Sequence, residues 1–330
     1  MSDFIKQISD LGKNSELATT IVSGFAWFIL VFFVIYFLYK LLMPLQKCSS
    51  IEEKYKLSPA ILPAVKSKYK NMKLINFYIK TAYNCCSLGN YSNDSVGTCI
   101  LSSVLKQGVR CLDFEIFSLN DMPVVATSTT NSYYTKETYN SIPFSEILAQ
   151  IATEAFTLEI SPNSVDPLFI HLRIKSNNPI MFGNLNKMLT SSGATSKLYS
   201  GEIDPTTITL SDMVGKIIVI VNNENKSYIG TGMYNMISGT STFKTYKYSQ
   251  IQNLTKQEMV DIQNTNQMSI LMPSDGTDPD NIDLNKAVQL KCNMIAMRYQ
   301  DLEDPLLSNY NKMFEKSAFI LKSELFLDTA

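Results

Sequence analysis

Between Ile21 and Tyr39 the chain reads IVSGFAWFILVFFVIYFLY, nineteen residues without a charged side chain. At about 1.5 Å of rise per residue such a helix spans roughly 28 Å, close to the hydrocarbon thickness of a bilayer. Trp27, Tyr36 and Tyr39 are amphipathic aromatics, and the two tyrosines suit a membrane interface. A cleaved signal peptide is the competing reading. The run is too long for its apolar core, and no A-x-A site follows. The preceding segment sets Lys6 and Lys13 against Asp3, Asp10 and Glu16, so it is not clearly basic. The expectation is a short tail (1–19), a retained transmembrane helix (20–43) and contact with the lipid bilayer from Ile21 to Tyr39.

Lysines set the expected orientation. After the apolar run come Lys40, Lys47, Lys54, Lys56, Lys66, Lys68, Lys70, Lys73 and Lys80, with only Glu52 and Glu53 among them. The positive-inside rule then places the large C-terminal part in the cytosol. The same collar, from Lys40 to Lys80, suits anionic lipid headgroups at about 1 kcal/mol per nearby lysine. Sequons at Asn90, Asn93, Asn225 and Asn253 are glycan acceptors only in the opposite topology. Residues 44–69, with Pro44, Pro59 and Pro63, read as a basic juxtamembrane linker holding a short ordered turn. The cysteines are Cys48, Cys85, Cys86, Cys99, Cys111 and Cys292. No CxxC pair occurs, so neither a zinc site nor a disulfide framework is expected, only reduced and mostly buried thiols.

The remainder is long enough for a full core, with 45% of the 330 residues hydrophobic. A net charge of −1 gives no reason to invoke nucleic acid, and no zinc-finger, P-loop or RNA-binding signature appears. Beyond residue 70, strand-like runs at 109–117, 123–126, 168–174, 216–221, 294–299 and 319–321 alternate with helical patterns. The helical patterns fall at 94–106, 144–155, 181–189, 256–267 and 306–314. Such alternation predicts an α/β architecture with a largely parallel sheet. A single barrel of about 250 residues accommodates it. Residues 222–248, rich in Asn, Gly, Ser and Thr, read as a loop or insertion.

Several motifs, taken in order, resemble the X and Y halves of phosphoinositide-specific phospholipase C. AYNCCSLGN at 82–90 is similar to the family's first catalytic turn, and VLKQGVRCLDFEIF at 104–117 to the segment supplying acidic calcium ligands. PVVATSTT at 123–130 stands where the family's second histidine falls. PLFIHLRI at 167–174 and MVGKIIVIVNN at 213–223 resemble strands bearing a further calcium ligand and substrate lysines. MSILMPSDGTD at 268–278, KCNMIAMRYQ at 291–300 and FEKSAFILKSELF at 314–326 resemble the last strands. The resemblance implies a TIM-like (β/α)8 barrel of the PLC-like phosphodiesterase type over 70–328, preceded by one transmembrane helix.

It also implies what is missing. The two catalytic histidine positions are Tyr83 and Thr127, and the chain's one histidine is His171. A phenol and an alcohol are poor proton shuttles at neutral pH, where imidazole titrates. His171 shares a strand face with Arg173 and could point inward, although a structural core or loop-facing role is the reading preferred. Asn84, Asp113 and Glu115 match calcium-ligand positions, while the remaining carboxylate position is Arg173. Its guanidinium is expected to pair with the two acids and to make a metal unnecessary. Substrate positions fall at Ile220, Asn222, Ser269, Ile270 and Met272, of which Ser269 alone keeps the family residue, so the mouth is expected to lack cations for a phosphorylated headgroup. The reading is a catalytically inactive barrel with no cofactor or metal, tethered to a membrane as a structural or interaction module. The pattern resembles phospholipase-like proteins of large DNA viruses, which implies protein partners in a capsid or inner-membrane assembly. Two rivals stay open: a phosphodiesterase with a rebuilt, calcium-free site, and a non-catalytic lipid-binding module.

Overall fold

The structure, a computed structural model, describes residues 2–56, 64–130, 134–224, 232–263, 266–301 and 303–325, the side chains of residues 2–18 and of Lys256 aside. It divides into two units, Met1–Lys47 and Cys48–Ala330. In the first, a helix begins at Ser2 and includes the apolar run, whose Phe25, Trp27, Phe28 and Phe33 side chains are exposed. This helix is long and apolar enough to cross a membrane.

The second unit is a nearly closed barrel. Its strands are β1 (Phe77–Ala82), β2 (Cys111–Leu119), β3 (Met122–Ala126), β4 (Ile142–Pro143), β5 (Leu168–Lys175), β6 (Ile217–Asn222), β7 (Met236–Ser238), β8 (Phe243–Lys247), β9 (Met268–Met272), β10 (Met294–Met297) and β11 (Phe319–Leu321). Eight of them form a parallel ladder in the order β7-β6-β5-β2-β1-β10-β9-β8. Between β7 and β8 a tight turn takes the place of the ladder. There the Gly239 and Thr240 amides both donate to the Phe243 carbonyl, at 2.7 and 3.0 Å. β3 extends β2 as an antiparallel hairpin, β4 adds to β3, and β11 lies antiparallel on β1.

Period-two alternation sorts the side chains into two cores. Phe77, Ile79, Phe169, Ile218, Ile270 and Met294 fill the barrel interior. Tyr78, Phe114, Ile170, Leu172, Val219 and Ile295 face the surrounding helices. The helix Phe144–Glu154 buries Phe144, Ile147, Leu148 and Ile151, the i, i+3, i+4, i+7 stripe of a helix laid on a sheet. Buried side chains of this kind contribute about 1.5–3 kcal/mol each. Asn178 and Asp304 cap the helices Pro179–Ser191 and Pro305–Met313, each with proline at the first helical position.

Three expectations need correction. Residues 44–56 of the supposed linker are helical, because the N-terminal helix continues through Pro44 to Lys56. A proline removes one backbone hydrogen bond and does not prevent continuation where the flanking residues favour helix. Pro59 and Pro63 lie outside the described residues. Within the barrel unit the end of this helix packs on the outer core through Ile51 and Tyr55, and the Tyr55 hydroxyl donates to the Tyr299 carbonyl at 2.7 Å. Second, Cys48 and Cys99 form a disulfide, whereas Cys85, Cys86, Cys111 and Cys292 are the buried free thiols that were expected. Third, the stretch 222–248 supplies β7 and β8, two walls of the barrel, with residues 225–231 outside the described set.

Candidate functional site

The interior faces of the strands turn polar toward their C-terminal ends. On β2 the inward series runs Cys111, Asp113, Glu115, and on β5 it runs Phe169, His171, Arg173. On β6 it runs Ile218, Ile220, Asn222. β7 ends with Ser238 on the same side, and β8 presents Thr245 there. Register sets Asp113 beside His171 and Glu115 beside Arg173. Functional groups of such barrels gather at this face.

Arg173 is the hub. Its Nε donates to Asp113 Oδ1 and Oδ2 at 3.2 and 3.0 Å, and Nη2 donates to Asp113 Oδ1 at 2.8 Å. Nη1 donates to Glu115 Oε1 at 2.7 Å, and Nη2 reaches Asn84 Oδ1 at 2.7 Å. The Tyr83 ring lies against the guanidinium, 4.4 Å from ring centroid to Cζ. Glu115 Oε2 accepts from the Ser128 amide at 2.9 Å and the Ser128 hydroxyl at 2.7 Å. Asn84 holds a left-handed φ of 45°, a conformation asparagine tolerates better than most residues, and its amide donates to Asp113 Oδ1 at 3.2 Å. Burial alone pushes the Asp113 carboxyl up; Arg173 and the His171 hydrogen bond override it and hold the group well below the usual carboxylate range. Burial pulls Arg173 down, and Asp113 and its neighbours more than restore it. Asp113 and Arg173 are therefore ionised at neutral pH.

Tyr83 and Thr127, which the resemblance sets against catalytic histidines, are both buried and locally bonded. Burial raises the Tyr83 phenol well above its ordinary value, against the lowering effect of Arg173. Thr127 Oγ1 donates to the Tyr91 carbonyl at 2.9 Å. His171 points inward rather than toward a loop, and it is fully buried. Its Nδ1 lies 2.7 Å from Asp113 Oδ2 and its Nε2 2.8 Å from Ser238 Oγ. Asp113, His171 and Ser238 thus have the connectivity of an acyl-transfer triad. Two facts weigh against nucleophilic use. All three residues are at most 1% exposed, and the Gly239 and Thr240 amides beside Ser238 are already donated to Phe243 rather than aimed at a developing oxyanion.

A pocket of ~160 Å³ opens beside these groups, lined by His171, Arg173, Asn222, Ser238, Thr245 and Met272. Ile220 and Ile270 lie below it in the apolar interior. Ser269 does not join them. It is one residue out of phase, so it faces outward to a separate pocket with Asn76, Lys291 and Lys322. Cations are also nearer the mouth than expected. Lys175, next on the Arg173 face, is brought down by burial to about 8 and feels the fields of Glu224 and Lys247, while Lys247 pairs with Asp275 at 2.6 Å. Lys175 is the fourth inward position of its strand, one residue past the run read from sequence; Ser238, on a three-residue strand among Gly, Ser and Thr, carried no signal.

The residues do not fit a calcium ion. The Asp113, Glu115 and Asn84 oxygens that would ligate it are hydrogen-bonded to one guanidinium, and a second positive charge would sit against it. Among the described residues no group of three or more His, Cys, Asp or Glu is placed to hold a metal.

No known protein-family signature matches the chain, and no curated protein matches it in sequence. Solved structures do. PLC21 of L. pealei superposes with a TM-score of 0.61 at 17% identity, over 77% of this chain and 38% of that one. PLC21 of S. officinalis gives 0.60 at 16% identity, over 80% and 38%. The chain spans well under half the length of either. The fold is that of the PLC-like TIM barrels. At this site an arginine lies among Asn84, Asp113 and Glu115.

Proposed function

We propose that this protein is a catalytically silent PLC-like barrel tethered to a bilayer through Ile21–Tyr39, serving as a structural or interaction module. The observation that carries the reading is the Arg173 guanidinium seated among Asp113, Glu115 and Asn84. Supporting it is the resemblance in sequence, which sets Tyr83 and Thr127 where such barrels carry catalytic histidines. A protein assembly at a membrane, such as a capsid or the inner membrane of a virion, is the setting proposed for it. Fractionating the membranes or particles that contain the protein tests that setting. Full-length protein in detergent or nanodiscs should leave phosphatidylinositol, its bisphosphate and glycerophosphodiesters intact, with or without calcium. Turnover that disappears in Asp113→Asn would overturn the proposal.

A second reading has its own support. His171 and Arg173 line the same pocket, so a rebuilt hydrolase using one imidazole as acid or base is the rival. The same assay decides, because turnover lost in His171→Gln identifies it. Headgroup binding by the lysine collar without hydrolysis is separable by flotation with anionic vesicles.

A further inference from the structure

The Cys48–Cys99 disulfide joins residues 51 apart in sequence, with Cα atoms 5.7 Å apart. Cys48 lies near the end of the N-terminal helix, in the part that belongs to the barrel unit, and Cys99 opens the helix Cys99–Lys106. Both are part-exposed, and the four free cysteines are buried. Exposure and pairing therefore coincide. The surroundings are shaped to the bridge as well. A β-carbon at Gly97 would stand 3.3 Å from Cys48 Sγ and 3.1 Å from a Leu88 methyl, so the chain has a glycine where the sulfur packs.

Part-exposed thiols brought to this geometry stay reduced in a cytosol and oxidise in the secretory lumen, outside the cell or in a periplasm. The lysine balance points the other way, and its weight can be judged. Charge counts mainly within about 15–20 residues of a span, and long domains translocate largely regardless of it. Within that distance the comparison is Lys40, Lys47, Lys54 and Lys56 against Lys6 and Lys13. Lys54 is itself paired with Glu303 at 2.9 Å in the folded barrel unit. What remains is a small bias against a specific covalent bond.

We propose that the barrel lies on the oxidising, non-cytosolic face of its membrane, where Cys48–Cys99 forms and exposed sequons accept N-linked glycan. Asn90, Asn93 and Asn253 are exposed, as a glycan carrier must be; Asn225 lies outside the described residues. A chain this rich in Asn, Ser and Thr acquires sequons by composition, so they serve as reporters and the disulfide carries the argument. A glycan on Asn90 or Asn93 would stand in the loop after β1, beside the Tyr91 that holds Thr127.

The test uses the full chain made in cells with an intact secretory pathway. Membranes are denatured without reductant, and thiols are counted by the mass added by a maleimide polymer. Four thiols before reduction and six after are expected from six cysteines with four free. The barrel should resist external protease in sealed microsomes, and an N-glycosidase should increase gel mobility by an amount that falls in Asn90→Gln, Asn93→Gln or Asn253→Gln. Six thiols without reduction, or digestion of the barrel in sealed microsomes, overturns the proposal. Protection with no glycosidase shift overturns its glycan part. Thiol counting needs no cysteine variant, so misfolding does not confound it.

Discussion

Replacing Arg173 with methionine tests the centre of the site. Methionine approximates the arginine stem and fills an irregular gap, so the loss is electrostatic more than steric. The guanidinium makes at least five hydrogen bonds to Asp113, Glu115 and Asn84, all at 3.2 Å or less. Removing one partner of a buried ion pair costs about 3–5 kcal/mol, because the surviving charges are left without compensation. Loss of the Tyr83 contact adds roughly 0.5–1 kcal/mol. A total near 5 kcal/mol lowers Tm by about 10–20 °C for a domain of this size.

The pH dependence carries the sign. In the wild type the Asp113 pKa is depressed on folding, so its stabilisation is present above its unfolded pKa of about 3.9 and is lost as pH falls through the folded value. In Arg173→Met the burial remains and the countercharge is gone, so the carboxyl moves upward and takes a proton as pH falls. The deficit against wild type should therefore be widest near pH 8 and narrower near pH 5. The triple variant Asp113→Asn, Glu115→Gln, Arg173→Met removes all the charges together and should recover most of the loss. Melting of full-length protein in detergent, followed by circular dichroism at both pH values, measures this. A Tm within about 2 °C of wild type at pH 8, or a deficit that ignores pH, refutes the reasoning.

Lys80 is buried on the outer face of β1 with Nζ donating to the Gln107 carbonyl at 2.7 Å, and burial lowers its pKa to about 7. The unfolded chain then binds the extra proton between about pH 7 and 10.4, so stability should rise with pH across that window, by at most ~1.4 kcal/mol per unit from this group. Lys80→Met should flatten the rise in denaturant titrations, and an unchanged slope refutes the assignment. A fluorophosphonate probe should leave Ser238 unlabelled by peptide mass spectrometry; labelling that vanishes in His171→Gln would show the triad to be live. Cys99→Ser opens a loop of 51 residues, for which chain entropy gives a loss of about 4 kcal/mol. Adding reductant to the wild type should produce the same Tm drop, and unequal drops would show that the loss is not the bridge itself.

How much the sequence disclosed follows from the range of the forces involved. The segment 168–174 was legible because a β-rich run repeats inside and outside every second residue, and the placement of Asp113, Glu115 and Arg173 follows from that repeat. Ser269 was misplaced because motif likeness fixes register only to within a residue, and one residue reverses the face. β7 escaped because three residues carry no periodicity; its place is dictated by pairing with Ile220, Val221 and Asn222 of β6. Cys48–Cys99 escaped because a pair 51 residues apart has no local signature, and no spacing rule brings a helix end to the start of another helix.

The Arg173 cluster also has a mechanical consequence. A divalent ion among carboxylates at a barrel mouth is exchangeable, so the order it imposes depends on its concentration. A guanidinium is covalently part of β5, and its pKa stays high even when buried beside Asp113. From β5 it holds β2 through Asp113 and Glu115 and the turn after β1 through Asn84, and His171 extends the network to Ser238 on β7. Three barrel strands and the turn after β1 are thereby joined at one end of the barrel. Such a network favours a rigid mouth over one that closes on a ligand, a rigidity in keeping with the interaction module proposed above.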